Sequence, residues 1–331
     1  MMQTHRRILI QSLVALVLGI RVSSSTPITG QPVLMRAQFA KPITVHTQPW
    51  YLDRIGAPHS RIVPYPSIIV AVIDDGIDAG APQLDGQIIG IVNIVAPDQL
   101  RDESGHGTHT AGIIAARPGS SGIRGICDAC QLLIIKAITN TGYGSDLTVA
   151  RAITIAIERG ARVINLSIGG TADTPAIRRA VADAIAHDIV VVAAAGNVTS
   201  TGPHRYYPAA YPEVIAVSAI DHENRKASFA TTDRAIDLVA PGVDIANIDT
   251  SADGIGVTQG TSTAAPQVSA AAALLRARYP MVSAMGIRRA LLSASIDLGP
   301  PGRDDTFGYG LLNIPRAFAV LQRSTTRANQ R

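Results

Sequence analysis

The sequence predicts an α/β fold of three layers, a mostly parallel central sheet with helices on both faces. Three observations predict it. Short runs rich in β-branched residues, such as "SIIVAVID" at 67–74, are apolar along their whole length, as strands buried on both faces are. Such runs alternate with longer helical stretches from about Gln48 onward, with no internal repeat and no linker-like break. Hydrophobic residues make up 47% of the 331 and charged residues 16%, which suits one large core and excludes a disordered chain. With aromatics at only 4%, that core must be built from Ala, Val, Ile and Leu.

After the strand at 67–74, "HGTHTAGIIAA" (106–116) has helical character and "QLLIIKAI" (131–138) reads as strand. "SDLTVARAITIAIERG" (145–160) is an amphipathic helix that Ser145 caps and Gly160 stops. "ARVINLSIG" (161–169) is strand, and "TPAIRRAVADAIAHD" (174–188) is a helix with Thr174 as cap and Pro175 in its first turn. "IVVVAAAGN" (189–197) and "EVIAVSAI" (213–220) are strands. "GTSTAAPQVSAAAALL" starts a helix that runs to Pro280, and "SAMGIRRALLSAS" (283–295) makes another. Crossovers between parallel strands are right-handed, and functional groups gather at the carboxyl ends of such strands. Three polar stretches fall there: "DDG" after Ile73, "SIGG" after Leu166 and "AGN" after Ala194.

The opening "THRRILIQSLVALVLGIRVSSSTP" has a cationic start, an apolar stretch from Ile8 to Ile20, and small polar residues at Ser23 to Ser25. That is the layout of a secretory signal peptide over 1–25, with a non-cleaved anchor as the alternative. The expectation is a secreted or periplasmic monomer with no stable membrane span once the leader is cleaved. Residues 26–47 read as a short pro-segment or linker, 48–321 as the domain proper, and 322–331 as a polar tail. The net charge of +4 is scattered, Lys41, Lys136 and Lys226 are the only lysines, and no basic run interleaves with aromatics, which excludes a nucleic-acid partner. Cys127 and Cys130 in "GICDACQLL" suit a short local disulfide, with two free thiols as the alternative.

"VAVIDDGID" ends a buried strand on Asp74, "SGHGTHTAG" begins a helix at His106, and "QGTSTAAP" begins another at Ser262. An alcohol is a poor nucleophile at neutral pH and needs a base. Imidazole titrates near neutrality, and a carboxylate beside it fixes the tautomer and stabilises the cation formed during attack. Asp, His and Ser therefore have a chemical reason to occur together. Each residue also has a plainer explanation: a strand-end turn for Asp74, packing for a histidine, an N-cap for Ser262.

These three blocks, in that chain order, resemble the signature blocks of the subtilisin-like serine proteases. The similarity covers most of Gln48 to about Leu321: "QPWYLDRIGA" resembles the segment opening the mature domain, "VINLSIGG" the substrate-binding strand, "VVVAAAGN" the oxyanion-hole block, and "FGYGLLNIPRA" the end of the last helical region. The resemblance implies a serine endopeptidase acting on peptides or proteins through an acyl-enzyme. Asp74 would orient the base, with Asp75 in the variable place beside it. His106 would be the base rather than His109, and Ser262 the nucleophile. Asn197 would donate its amide to the oxyanion beside the backbone N–H of Ser262. Ser167, Ile168 and Gly169 would offer a strand edge to an extended peptide, with Gly142 and Gly144 lining the other side; turn geometry explains those two glycines equally well.

The chain also departs from the family pattern. Gln267 stands where a histidine is usual, Thr263 follows the nucleophile in place of Met, and Ala265 replaces a common serine. Gln83 in "DAGAPQL" and Gly119 in "RPGSSGI" fall where relatives hold calcium, so the strong calcium site is expected to be lost, no metal or other cofactor is expected, and room is left only for a weaker calcium site. The span before the domain is too short for the folded inhibitory pro-domain of many relatives. Tyr206 falls near the S1 pocket and would favour small or medium apolar P1 side chains. Two other readings stay open: a non-catalytic peptide-binding module, and a maturation protease or peptide ligase of narrow specificity.

Overall fold

The computed structural model describes residues 32–34, 38–39, 49–58, 67–95, 101–119, 122–198, 205–250 and 254–329. The expected leader and most of the expected pro-segment lie outside the described residues. Strands β1 (Pro32–Leu34) and β2 (Gln38–Phe39) are followed by α1 (Trp50–Arg54), β3 (Ile69–Asp74), a 3-10 turn (Pro82–Leu84) and β4 (Ile88–Asn93). Next come α2 (His106–Ala115), β5 (Gln131–Lys136), β6 (Tyr143–Ser145), α3 (Asp146–Glu158), β7 (Val163–Leu166), α4 (Pro175–Ala186) and β8 (Val190–Ala194). The chain closes with β9 (Ile215–Ile220), β10 (Leu238–Pro241), β11 (Ile245–Ile248), β12 (Ile255–Gln259), α5 (Thr261–Arg278), α6 (Ala284–Ala294) and α7 (Ile314–Asn329).

Seven strands form one sheet in the order β10-β9-β8-β7-β3-β5-β4, and every neighbouring pair is parallel. Parallel pairing puts all the carboxyl ends on one edge, with β3 central between β5 and β7. Alternate side chains of β3 serve opposite cores. Val70 and Val72 pack with residues of α2, α5 and α6, whereas Ala71 and Ile73 pack with residues of α3 and α4. This is the three-layer arrangement the alternation predicts. Helix α5 is buried on every side and packs across β7, β8 and β9, and its run of alanines lets it approach the sheet closely.

Local signals act where they were read. Ser145 accepts from Thr148 N at 3.2 Å while Thr148 Oγ1 accepts from Ser145 N at 3.0 Å, a reciprocal capping box. Thr174 accepts from Ile177 N with Pro175 at the first helical position, and Gly160 takes φ +74° just past α3. Some expectations shift. Two strands end early, β7 at Leu166 and β8 at Ala194, so Ser167–Gly169 and Asn197 stand on the loops beyond the sheet. The expected polar tail is instead helical through residue 329, as part of α7. Strands β4, β10, β11 and β12 were not anticipated. Gly90, Pro241 and Gly256 interrupt the apolar pattern of β4, β10 and β12, and Asn247 that of β11. Cys127 and Cys130 are joined in a disulfide.

The ends of α4, α5 and α6 meet at one buried guanidinium. Arg276, 1% exposed, donates to the Asp188 carboxylate at 2.8 Å and to Val282 O. The same carboxylate accepts from Arg162 and from Ala284 N at the start of α6. Removing Asp188 strands a buried cation, whereas removing Arg276 leaves a half-exposed carboxylate that Arg162 still pairs. Asp188→Ala is therefore expected to cost about 2 kcal/mol, discounted for the solvent around Asp188, and Arg276→Met distinctly less, read as urea-unfolding midpoints.

Candidate active site

Asp74 is the last residue of β3, and His106 is the first residue of α2. Their side chains meet at 2.6 Å, His106 Nδ1 to Asp74 Oδ1, and both residues are buried. Asp74 Oδ1 also accepts from the backbone N–H of Asp75 at 2.8 Å. An ionised carboxylate can only accept, so Nδ1 carries the ring proton and Nε2 keeps its lone pair. Among the described residues Nε2 has no hydrogen-bond partner. Burial pulls the His106 pKa down, but the charge of Asp74 and the bond to it outweigh burial and raise it above the ordinary imidazole value.

Ser262 lies in the first turn of α5, where the unpaired N–H groups of the helix favour negative charge. Its Oγ, like Nε2 of His106, is buried with no partner among the described residues. Its carbonyl is held by Ser167 Oγ at 2.8 Å, and Ser167 Oγ accepts from Asn165 Nδ2 at 3.0 Å. So the Ser167 side chain anchors the Ser262 turn, and only its backbone is left to face a ligand.

Asn197 sits on the loop after β8. Its Oδ1 accepts from both the N–H and the hydroxyl of Thr261, each at 3.0 Å, which turns the amide Nδ2 the other way. A Cβ placed on Gly260 would lie 2.8 Å from Ser262 Oγ and 3.3 Å from Asn197 Nδ2. The hydroxyl and the amide thus border one small space that a side chain at 260 would fill. Below this turn, the Tyr206 ring packs on Gly196 and its hydroxyl donates to Asn197 O at 3.0 Å.

Ile168 is buried, and the strand edge beyond Gly169 is bridged at Gly170 to Tyr207. Gly142 turns the chain at φ +82°, and a Cβ on Gly144 would strike Ile138. Both glycines therefore have backbone reasons to be glycine. Gly144 belongs to β6, which pairs antiparallel with β1 in the register Val33 to Gly144. His109 faces away from the site, 3.0 Å from Ile245 O. Gln267 donates to Pro241 O and Thr263 O, tying α5 to β10.

Several residues that build the site were not singled out from the sequence. Asp102 accepts from Ser104 N, Gly105 N and Thr108 N, and Ser104 Oγ accepts from His106 N. "RDESGHGTH" did carry a signal, since Asp and Ser just before a helix are capping residues. Thr261 gave none, because its partner lies 64 positions away.

The family model described as the subtilase family matches residues 66–310. Subtilisin DY of Bacillus licheniformis is 37% identical over 261 residues, 76% of this chain and 90% of that protein. The minor extracellular protease Epr of Bacillus subtilis is 35% identical over 270 residues, 80% of this chain but 41% of that protein. Among solved structures, fervidolysin of Fervidobacterium pennivorans, a keratinolytic enzyme related to subtilisin, matches with TM-score 0.78 and 29% identity. That match covers 87% of this chain and about half of fervidolysin, 51%.

Only the neutral ring of His106 can accept a proton at Nε2. Because Asp74 raises its pKa, the acid limb of kcat/KM is expected above the ~6.5 of free imidazole. Asp74→Asn removes the largest raising influence and leaves burial, so the limb should move toward acid while turnover falls about 10⁴-fold. A native limb centred below that of free imidazole would contradict this assignment.

Proposed function

The chain belongs to the subtilase family and is a serine endopeptidase, and on that premise we propose that Asp74, His106 and Ser262 form its catalytic triad. Ser262 Oγ attacks the scissile carbonyl as His106 Nε2 takes its proton. The negative oxygen of the tetrahedral intermediate is held by Asn197 Nδ2 and the backbone N–H of Ser262. The C–N bond then breaks as His106 returns the proton to the leaving amine. Water, deprotonated by the same ring, releases the acyl group by the reverse sequence. The observation that carries this reading is the buried 2.6 Å Asp74–His106 contact, with Nε2, the Ser262 hydroxyl and the Asn197 amide all left available. Asn197→Ala is expected to lower kcat by about 10²–10³, the magnitude found on removing that donor from a subtilisin.

The substrate is a peptide or protein chain. Backbone of Ser167, Ile168 and Gly169 on one side, with Gly142 and Gly144 on the other, would hold it as an added strand. The Tyr206 ring against Gly196 supports a shallow S1 pocket and a preference for small or medium apolar P1 residues. The reading includes no resident cofactor. Gln83 and Gly119 stand where relatives offer oxygen ligands to calcium, and a hard cation needs several such oxygens.

Export as a monomer is the reading of localisation. The extracellular relative supports the export, and no helix among the described residues is long and apolar enough to cross a membrane. Residues 26–47 would then be a pro-segment. Two pairings support it: β1 with β6, the edge assigned to substrate, and β2 with β12, whose Gln259 leads through Gly260 to Ser262. On this reading Pro32–Leu34 pairs with the edge that would hold substrate.

A fluorophosphonate is expected to label Ser262 in the folded protein and not in Ser262→Ala; absence of the adduct would sink the triad. Denatured casein should be digested by the native chain and not by Ser262→Ala. Intact mass should show native protein shortened by loss of the residues before about Gln48, with Ser262→Ala keeping them.

A further inference from the structure

Helix α2 starts without a cap of its own. Its N-cap is Gly105, at φ +82°, which has no side chain to offer. Three side chains from outside the helix take its first N–H groups instead: Ser104 Oγ for His106 at 3.0 Å, Asp75 Oδ1 for Gly107 at 2.9 Å, and Asp102 Oδ2 for Thr108 at 2.8 Å. Asp75 controls two of the three, because its other oxygen accepts from the same Ser104 hydroxyl. At its backbone, Asp75 donates its N–H to Asp74 Oδ1, the oxygen that holds His106. One residue therefore grips the orienting carboxylate with its main chain and the start of the base-bearing helix with its side chain.

We propose that Asp75 is a positioning residue: its carboxylate ties Gly107 N and the Ser104 hydroxyl, on either side of His106, to the end of β3 and so sets the Asp74–His106 contact. This rests on the triad reading above. The resemblance puts Asp75 in a variable place beside Asp74, but the two carboxylates have separate work. Asp74 bonds the ring, and Asp75 bonds Gly107 N and the Ser104 hydroxyl on either side of the residue that carries it. The helix end rewards a negative group at this place. The surroundings oppose it: burial first, then the carboxylates of Asp74 and Asp102, push the Asp75 pKa up to about 7. The charged groups facing it are Asp74 on β3, Asp102 before α2, His106 on α2, and Lys136 at the end of β5, whose Nζ donates to Asp75 O.

Two variants and three readouts test this. Asp75→Ala removes both side-chain contacts, and kcat is expected to fall about 10- to 100-fold with KM within about twofold, as for a misplaced base. Asp75→Asn keeps an oxygen for Gly107 N and a polar group for Ser104, so kcat should recover to within about threefold of native. It also removes a negative charge that raises the His106 pKa, so its acid limb should move to lower pH. The low-field proton resonance of the His106 Nδ1–H is expected to be retained in Asp75→Asn and displaced or broadened in Asp75→Ala. Native turnover in Asp75→Ala, a loss that Asp75→Asn does not recover, or an unmoved acid limb in Asp75→Asn would overturn the proposal. Should Asp75→Ala fail to fold, Asp75→Ser takes its place, read by the same kcat, KM and resonance measurements. Fluorophosphonate labelling of the native chain separates the two levels: no adduct on Ser262 sinks the triad reading, whereas an adduct with native kinetics in Asp75→Ala sinks this inference alone.

Discussion

The structure is organised around a close approach between the end of β3 and the start of α2. A buried imidazole can be held 2.6 Å from a buried carboxylate only if helix and strand come almost into backbone contact. Gly107 permits this, since a Cβ there would sit 2.1 Å from Gly76 O. The approach gathers three carboxylates, Asp74, Asp75 and Asp102, in one small buried region, and mutual repulsion alone would push them apart. The helix N-terminus, the Lys136 ammonium and the His106 ring offset that repulsion. Capping, charge and packing are here one constraint seen from three sides.

The second support is α5. A helix buried on all sides has no amphipathic stripe, and its alanines fit it between the sheet and the outer helices. Its N-terminus then emerges at the carboxyl edge of the sheet, beside the loops after β7 and β8. Ser167 from one loop holds the carbonyl of Ser262, and Thr261 holds the amide of Asn197 from the other. The proposed nucleophile and oxyanion donor are therefore held by the same turn of helix.

Much of this was legible in advance because it depends on short-range signals. Continuous β-branched runs gave the buried strands, and Ser145, Thr174 and Ser283 cap the helices they precede. The functional residues stood out because each follows a strand or opens a helix. What stayed hidden is of two kinds. β4, β10 and β12 carry a glycine or proline and β11 a buried asparagine, and each depends on pairing partners that local sequence does not name. Asp75 and Asp102 look like any acidic residues near a turn. Their importance comes from which N–H groups they meet, and only folding decides that.

The oxyanion turn shows why such partners matter chemically. An amide that must stabilise a charge present only in the transition state gains most if it need not reorient when that charge appears. Asn197 is fixed through its oxygen by two donors from Thr261, and its own carbonyl is fixed by Tyr206, so rotating Nδ2 away would break contacts at both ends. Thr261 Oγ1 also accepts from Gly196 N at 3.2 Å, closing the turn on itself. Among the described residues, by contrast, neither the Ser262 hydroxyl nor His106 Nε2 has a hydrogen-bond partner. Holding the donor rigid is what a preorganised site requires, since nothing need move when the charge develops.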